Sequence, residues 1–210
     1  MKKHTLLLIV FSFLLISCAG NKKGGENAQA PLQREVFGVT LGETYTYDDL
    51  VDILAQSIEG LQRENEGDLW DTNPELSIAQ QDQFVSYYVF SEPNAEGYLF
   101  ENHNWNTVRL DATEDGRIFA ICFASTSTDK AFMEQQQTML LTNLTEKYGE
   151  PSIAKSDYTS KDNNWFDGTY AIRLSFTRFG DYYGINLTFK ENATFSEIYG
   201  PEEEVGKEEK

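Results

Sequence analysis

The sequence predicts an α+β fold in which an antiparallel sheet carries two main helices on one face and is built from a duplicated α-β-hairpin unit. Three observations lead to this prediction. Two segments carry apolar residues at helical spacing, short apolar runs alternate with turn residues elsewhere, and one hairpin sequence recurs later in the chain. The chain has 210 residues, which suits one such domain once its two ends are set aside.

The first predicted helix begins after Thr46 and follows a short strand at residues 36–41. The Thr46 hydroxyl can cap the helix, and Asp48 and Asp49 place acids in its first turn. Four apolar residues then recur on one helical face: Leu50, Leu54, Ile58 and Leu61. Residues 62–83 are mostly polar, so we interpret them as a long inserted loop, a kind of segment that often carries function.

The second predicted helix covers residues 129–148 and lies between two groups of strands. Ser127, Thr128 or Asp129 can cap it, and Gly149 followed by Pro151 ends it in the expected order. Four strands are predicted before it, at residues 84–90, 98–101, 107–112 and 117–124. Four more are predicted after it, at residues 153–159, 165–166, 170–179 and 183–190.

An internal repeat supports the duplication. A shift of 64 residues, without a gap, aligns residues 108–123 with residues 172–187, and five of the sixteen positions are identical. The identical pairs are Arg109 with Arg173, Leu110 with Leu174, Thr113 with Thr177, Gly116 with Gly180, and Ile121 with Ile185. Hairpins share a pattern of their own, so coincidence is the alternative. The order of helix then antiparallel strands recurs in both halves, which favours duplication.

The N-terminus predicts export and lipid anchoring. Two lysines near the start precede an apolar run over residues 5–16, which is too short to cross a bilayer core of ~30 Å and is typical of a signal peptide. The run closes on Leu15-Ile16-Ser17-Cys18, which resembles the lipobox of bacterial lipoproteins. That resemblance implies that residues 1–17 are removed and that Cys18 carries the lipid. An ordinary signal peptide or a short buried strand is the alternative.

The predicted mature chain divides into three parts. Residues 18–35 form the lipidated cysteine and a flexible tether, residues 36–200 the single domain, and residues 201–210 an acidic disordered tail. Without residues 1–17 the formal charge is −19, because the segment removed holds two lysines and no acid. This charge argues against nucleic acid as a partner and against binding to anionic lipid head groups, so the lipid itself is expected to hold the membrane.

Three sequence features carry a resemblance to a known group of proteins. They are the strand at residues 36–41 before a helix, the helix end Leu144-x-x-Lys147-Tyr148-Gly149-x-Pro151, and the strand Ile172-Arg173-Leu174 after Trp165. Together they resemble small lipoproteins of unknown function from gut Bacteroidetes. Some of these have a fold similar to beta-lactamase inhibitor protein and to small assembly lipoproteins of the outer membrane. The resemblance implies a similar fold, and it brings no functional residues with it. We expect the lipid-anchored chain at the bacterial cell envelope, with the outer membrane favoured and the inner membrane as the alternative.

Motifs for common enzyme chemistry are missing from the predicted mature sequence, which has no phosphate loop, CxxC, HExxH or GxSxG. Its one histidine, His103, falls in a polar stretch and is expected to be a solvated loop residue. Cys122, in an apolar run, is expected to be buried and inert. The acidic turns at residues 111–116 and 157–167 are a weak match to calcium loops and are explained by turn chemistry, so we predict no metal and no cofactor.

Tryptophans are the remaining candidates for a binding site. Trp70 lies in the inserted loop, and Trp105 and Trp165 flank the predicted hairpins. Core packing is the alternative for most of them. We therefore predict a non-catalytic, membrane-anchored lipoprotein of the cell envelope that binds an envelope protein or assists assembly. Glycan binding through exposed aromatic residues is the alternative, and a carboxylate-based hydrolase is the second alternative.

Overall fold

A computed structural model describes residues 30–59, 61, 76–90, 97–156 and 160–199. These residues form a mixed α+β fold with an eight-stranded antiparallel sheet, and three helices occur among them. The predicted class, α+β with an antiparallel sheet, is therefore confirmed. The predicted signal peptide, Cys18, residues 62–75 and the acidic tail lie outside the described residues.

The helices and strands of the described residues are numbered in chain order. The helices are α1 Tyr47–Leu54, α2 Lys130–Tyr148 and α3 Asn192–Tyr199. The strands of the first half are β1 Glu35–Val36, β2 Val39–Thr40, β3 Leu76–Gln80, β4 Phe84–Phe90, β5 Tyr98–Phe100, β6 His103–Trp105, β7 Thr107–Thr113 and β8 Ile118–Ser127. Those of the second half are β9 Ile153–Ser156, β10 Ser160–Phe166, β11 Tyr170–Phe179 and β12 Tyr182–Glu191.

The main sheet has the strand order β3-β4-β7-β8-β12-β11-β10-β9, and every neighbouring pair is antiparallel. Strands β8 and β12 pair at the centre, so the hairpins β7–β8 and β11–β12 lie side by side. The short pairs β1–β2 and β5–β6 form two separate ribbons. The two sequence segments that repeat therefore become the four central strands.

Helices α2 and α3 lie on opposite faces of the sheet. On one face His103 bridges Gln136 of α2 and Ser125 of β8. On the other face the Lys190 ammonium of β12 lies 4.2 Å from the centre of the Phe195 ring of α3. Since successive strand residues alternate between faces, the apolar half of each central strand points to α2 and builds the main core. The polar half points the other way.

Both predicted helices are confirmed. Helix α1 begins after Thr46, whose hydroxyl and backbone form a reciprocal capping box with Asp49. It ends at Leu54, although Ile58 and Leu61 beyond it are also buried. Helix α2 begins after Asp129, which accepts a hydrogen bond from the Phe132 amide. Local capping signals thus placed both helix starts within one residue.

The predicted strand at residues 36–41 is a tight hairpin instead. Strands β1 and β2 pair across a turn in which Phe37 and Gly38 have φ of +52° and +81°. A positive φ is unusual for phenylalanine, and here the ring packs edge-on against Phe100 and Phe123 at centroid distances of 5.9 and 5.8 Å. Long-range packing of one ring therefore overrides the extended pattern.

Several elements were missed or given wrong bounds in the sequence prediction because they lie in polar segments. Strand β3 lies within the predicted inserted loop of residues 62–83, and β10 begins five residues before the predicted strand at 165–166. Strand β6 and helix α3 were not predicted. The predicted tether also extends too far, because Leu32 is buried and Lys147 donates a hydrogen bond to the Gln33 side chain. Tertiary neighbours, rather than periodicity, hold these segments.

Candidate functional site

The sheet register places two arginines in one row of side chains on the face opposite α2. The row crosses six strands from β4 to β10, and we call it the arginine row. Its members, in spatial order, are Tyr88, Arg109, Cys122, Thr188, Arg173 and Asn164. Three strand intervals separate the two arginines, which corresponds to roughly 14 Å between their Cα atoms at the usual spacing of about 4.8 Å. The two arginines thus flank the centre of the sheet.

A cavity of about 370 Å³ lies over this row, and we call it the sheet groove. It is lined by five of the six row residues, all but Asn164, together with Thr107, Ala124, Ser175, Asn186 and Phe195. Among the described residues that line it, two are arginine and none is acidic. The whole chain, by contrast, carries twice as many acids as bases. The groove is therefore a donor-rich site in a strongly acidic protein.

The buried carboxylate of Asp111 holds the Arg109 side chain in place. Asp111 is fully buried and accepts hydrogen bonds from Arg109 Nη2 at 2.9 Å, Ser86 Oγ at 2.7 Å and Tyr199 Oη at 3.2 Å. Burial raises the pKa of Asp111, and the charge of Arg109 with these donors opposes that rise. The network fixes Arg109 while leaving its side chain 33% exposed.

Cys122 lies beside Arg109 and lines the groove, so it is half-buried and not fully buried as the sequence predicted. Arg109 Nη2 donates to Cys122 Sγ over 3.4 Å. Burial raises the pKa of the Cys122 thiol, so it is neutral at pH 7 and a poor nucleophile. Arg109 Nε is buried and makes no hydrogen bond within the described part of the chain. Buried donors without a partner are uncommon in folded proteins.

Arg173 lies at the corresponding position of the second half. Its Nε and Nη2 atoms donate to Asp162 Oδ1 at 3.3 and 3.1 Å, and its side chain is 39% exposed. Its strand neighbour Asn164 is only 8% exposed, and the Asn164 Oδ1 atom has no hydrogen-bond partner among the described residues. Each half of the sheet thus has one partly exposed guanidinium group that is paired with an aspartate, and one buried polar atom without a hydrogen-bond partner among the described residues.

The predicted tryptophan site is wrong for two of its three members, for which the alternative of core packing holds. Trp105 is 0% exposed and Trp165 is 2% exposed. Trp105 Nε1 donates to the Phe100 carbonyl at 3.0 Å, and Trp165 Nε1 donates to the Gly149 carbonyl at 2.7 Å. Because the single polar atom of each indole is satisfied, burial of the large ring costs little and stabilises the core. Trp70 lies outside the described residues.

The prediction that His103 is a solvated loop residue is also wrong. It is buried in β6 and contacts the Trp105 ring edge-on at a centroid distance of 4.5 Å, so it is not a solvated loop residue. Both ring nitrogens have hydrogen-bond partners, Gln136 and Ser125. Its surroundings are structural, and it lies on the α2 face, away from the sheet groove.

The acidic turns do not assemble a cation site in the part of the chain that the structure describes. No three histidine, cysteine, aspartate or glutamate side chains come together there in a way that could hold a metal. Thr113 donates a hydrogen bond to Asp115 within the β7–β8 turn, and Asp111 forms an ion pair with Arg109. Residues 157–159 of the second acidic turn lie outside the described residues.

Comparison of the chain with protein-family models, with curated proteins and with solved structures gives no match. In the described ranges no helix is long and apolar enough to cross a membrane. The sheet groove is therefore interpreted from its own geometry. One sequence signal for it existed, since the internal repeat aligns Arg109 with Arg173.

Proposed function

We propose that this protein is a non-catalytic binding module, anchored through lipid on Cys18 to the outer membrane of a bacterial cell envelope, that engages a protein partner through the sheet groove. One observation carries the binding role: a partly exposed, donor-rich groove on the sheet face that α2 leaves uncovered. Arginine and tyrosine, the side chains that flank it, are enriched among residues that dominate protein interfaces.

Exposed aromatic surface beside the groove supports a protein partner. Phe90 is exposed and stacks on Tyr88 of the arginine row, with ring centroids 5.4 Å apart and an angle of 2° between the rings. Arg109 pairs with Tyr88 across the neighbouring strand and is the next residue in the row. An aromatic patch next to a partly buried guanidinium group combines apolar area with directed hydrogen bonds, as protein interfaces do.

The path of the chain supports an anchor that leaves the groove accessible. Ala30 and Leu32 lie against Tyr148 and Trp165, at the C-terminal end of α2. The described chain therefore enters on the α2 face, and the sheet groove opens on the opposite face. Confinement to a membrane raises the effective concentration of such a module for partners in the same membrane.

We also propose that the domain arose by duplication of an α-β unit, with α1 and α2 packed on the same face. The strand order supports this. From each edge of the sheet to its centre the strands follow chain order, as β3-β4-β7-β8 in one half and β9-β10-β11-β12 in the other. The pairing of Cys122 with Thr188 puts the centre of this symmetry between Arg109 and Arg173. The ring of Tyr47 in α1 lies 6.3 Å from the Tyr87 ring, whose strand position faces the core.

Site-specific crosslinking tests the binding role. A photoreactive phenylalanine placed at Thr107, in the groove, should capture a protein when intact cells are irradiated. The matched control is the same residue at Thr138, which is exposed on α2. Adducts formed from position 107 and absent from position 138 support the proposal. The same adducts from both positions, or none from position 107, would contradict it.

A further inference from the structure

We infer that the sheet groove recognises two carboxylates on an extended acidic segment of its partner, one at Arg109 and one at Arg173. This inference rests on the proposed function, since it names the chemistry of the partner that the groove binds. It adds a ligand class and two anchoring residues.

The donor pattern of Arg109 leads to an anionic ligand. Its hydrogen bonds to Asp111 and Cys122 both come from Nη2, and its Nε is buried. Its Nη1 makes no hydrogen bond to a described residue, and the side chain is 33% exposed where it lines the groove. Part of the guanidinium group therefore remains available on the groove side. A planar guanidinium group matches the two oxygens of a carboxylate and forms paired, charge-assisted hydrogen bonds with it.

The lining favours a peptide over a sugar. A glycan presents many hydroxyl donors, and carboxylates are the strongest acceptors for them. The described lining contains no carboxylate, and the one aromatic ring of the arginine row has a face occupied by Phe90. A ligand that mainly accepts hydrogen bonds, such as a segment rich in glutamate or aspartate, fits this lining better.

The spacing of the two arginines favours an extended segment. Their Cα atoms are roughly 14 Å apart across three strand intervals. In an extended chain, residues i and i+4 point to the same side and lie about 13 Å apart. Two acids separated by three residues can therefore face Arg109 and Arg173 at the same time, with the segment lying across the strands.

The test uses three five-residue peptides and the full chain in detergent micelles at low salt. The peptides are Glu-Gly-Ser-Gly-Glu, Glu-Gly-Ser-Gly-Gln and Gln-Gly-Ser-Gly-Gln, each acetylated at its N-terminus and amidated at its C-terminus so that only side chains supply carboxylates. Trigalacturonate is the acidic sugar probe. Titrations followed by the NMR signals of the arginine Nε–H groups give each dissociation constant. We expect the peptide with two acids to bind about fivefold or more tightly than the peptide with one, and the peptide with none not to bind.

Three variants identify the anchors. Arg173→Gln should weaken the peptide with two acids about fivefold and change the peptide with one acid by less than about twofold, because Arg109 remains. Arg109→Lys keeps the charge beside Asp111, so the fold is retained, but it loses the planar fork and should weaken both peptides. The matched control is Arg178→Gln, which removes the same charge from the opposite face of β11 and should leave binding unchanged.

The outcomes separate this inference from the proposed function. Equal binding of all three peptides, or equal losses in Arg173→Gln and Arg178→Gln, overturns the inference. Tighter binding of trigalacturonate overturns the choice of a peptide. If position 107 still captures a protein while no acidic peptide binds, the inference fails and the proposed function stands. If acidic peptides bind but position 107 captures no protein, the proposed function fails, and with it the claim that the groove's ligand is a protein partner.

Discussion

At the scale of single residues, His103 shows how a polar side chain can become part of the core. Its Nδ1 lies 3.0 Å from Gln136 Oε1, and its Nε2 lies 2.7 Å from Ser125 Oγ. Gln136 Oε1 only accepts, so this network assigns the proton to Nδ1 and makes Nε2 the acceptor from Ser125. The neutral ring thus joins β6, β8 and α2 without leaving a polar atom unpaired.

This geometry predicts that His103 makes stability depend on pH. Burial lowers its pKa below the ordinary value of 6.5, and the hydrogen bond to Gln136 opposes this only in part. Below pH 6.5 the unfolded chain therefore binds a proton that the folded chain excludes, so the free energy of unfolding falls as the pH falls. Urea unfolding at pH 7.5, 6.0 and 5.0 should show a steeper loss in the natural chain than in His103→Gln.

The His103→Gln variant is the control that separates the effect of the histidine from that of other groups. Many carboxylates also titrate toward pH 5, so the comparison with His103→Gln, rather than the slope itself, isolates the histidine. Equal slopes in both chains would show that His103 keeps its ordinary pKa in the folded state. The sequence could not supply this prediction, because nothing near residue 103 indicates that α2 covers it.

At the scale of elements, the two central hairpins share a sequence pattern but differ in their turns. Gly116 in the β7–β8 turn has φ of +85°, and Gly180 in the β11–β12 turn has φ of +59°. A Cβ atom on Gly116 would lie 2.5 Å from the Tyr45 carbonyl oxygen, whereas one on Gly180 would meet nothing within 4 Å. The Gly116 turn is therefore packed against the segment before α1, and the Gly180 turn is open.

We predict that alanine at these two positions has different costs. Gly180→Ala should lower the free energy of unfolding by about 1 kcal/mol, the usual penalty for a left-handed non-glycine residue. Gly116→Ala should lower it by roughly 2–3 kcal/mol, because the β7–β8 turn must also move away from the Tyr45 backbone. Urea unfolding of the two variants checks this order, and equal losses would show that the contact with Tyr45 does not constrain the turn.

The internal repeat was a useful but incomplete guide at this scale. The 64-residue shift aligns Arg109 with Arg173 in the first strand of each hairpin. In the second strand, the residues that pair with these arginines are Cys122 and Thr188, which differ by 66 positions. The extra two residues preserve which face each side chain occupies, since strands have a period of two. The repeat is therefore consistent with the shared face of the two arginines, but it does not give the register of the strands.

At the scale of the whole molecule, the sheet separates the face that carries α2 from the face that carries the sheet groove and α3. The N-terminal described residues lie beside the end of α2, and the sheet groove opens opposite. If Cys18 carries lipid, Cys18→Ala should yield an exported chain that leaves the membrane fraction, because several acyl chains at about 0.8 kcal/mol per buried CH₂ are lost. Fractionation with immunodetection tests this, and Ser17→Ala, which keeps the thiol and a small residue, is the control.

An unchanged distribution of Cys18→Ala in the membrane fraction would contradict lipid anchoring. It would leave the sheet groove and its arginines unaffected as a binding site, since they lie in a different part of the chain. Crosslinking from position 107 and fractionation of Cys18→Ala are thus independent measurements of the two halves of the proposed function.

The sequence by itself determined the helices α1 and α2, the central hairpins and the fold class, because caps, glycine turns and apolar periodicity act within a few neighbouring residues. The tertiary structure alone decided that Trp105, Trp165 and His103 are buried and that Arg109 and Arg173 share one groove. These outcomes depend on which strands pair and in which register. The central contact joins Cys122 and Thr188, which are 66 positions apart, and no local pattern fixes so distant a pairing.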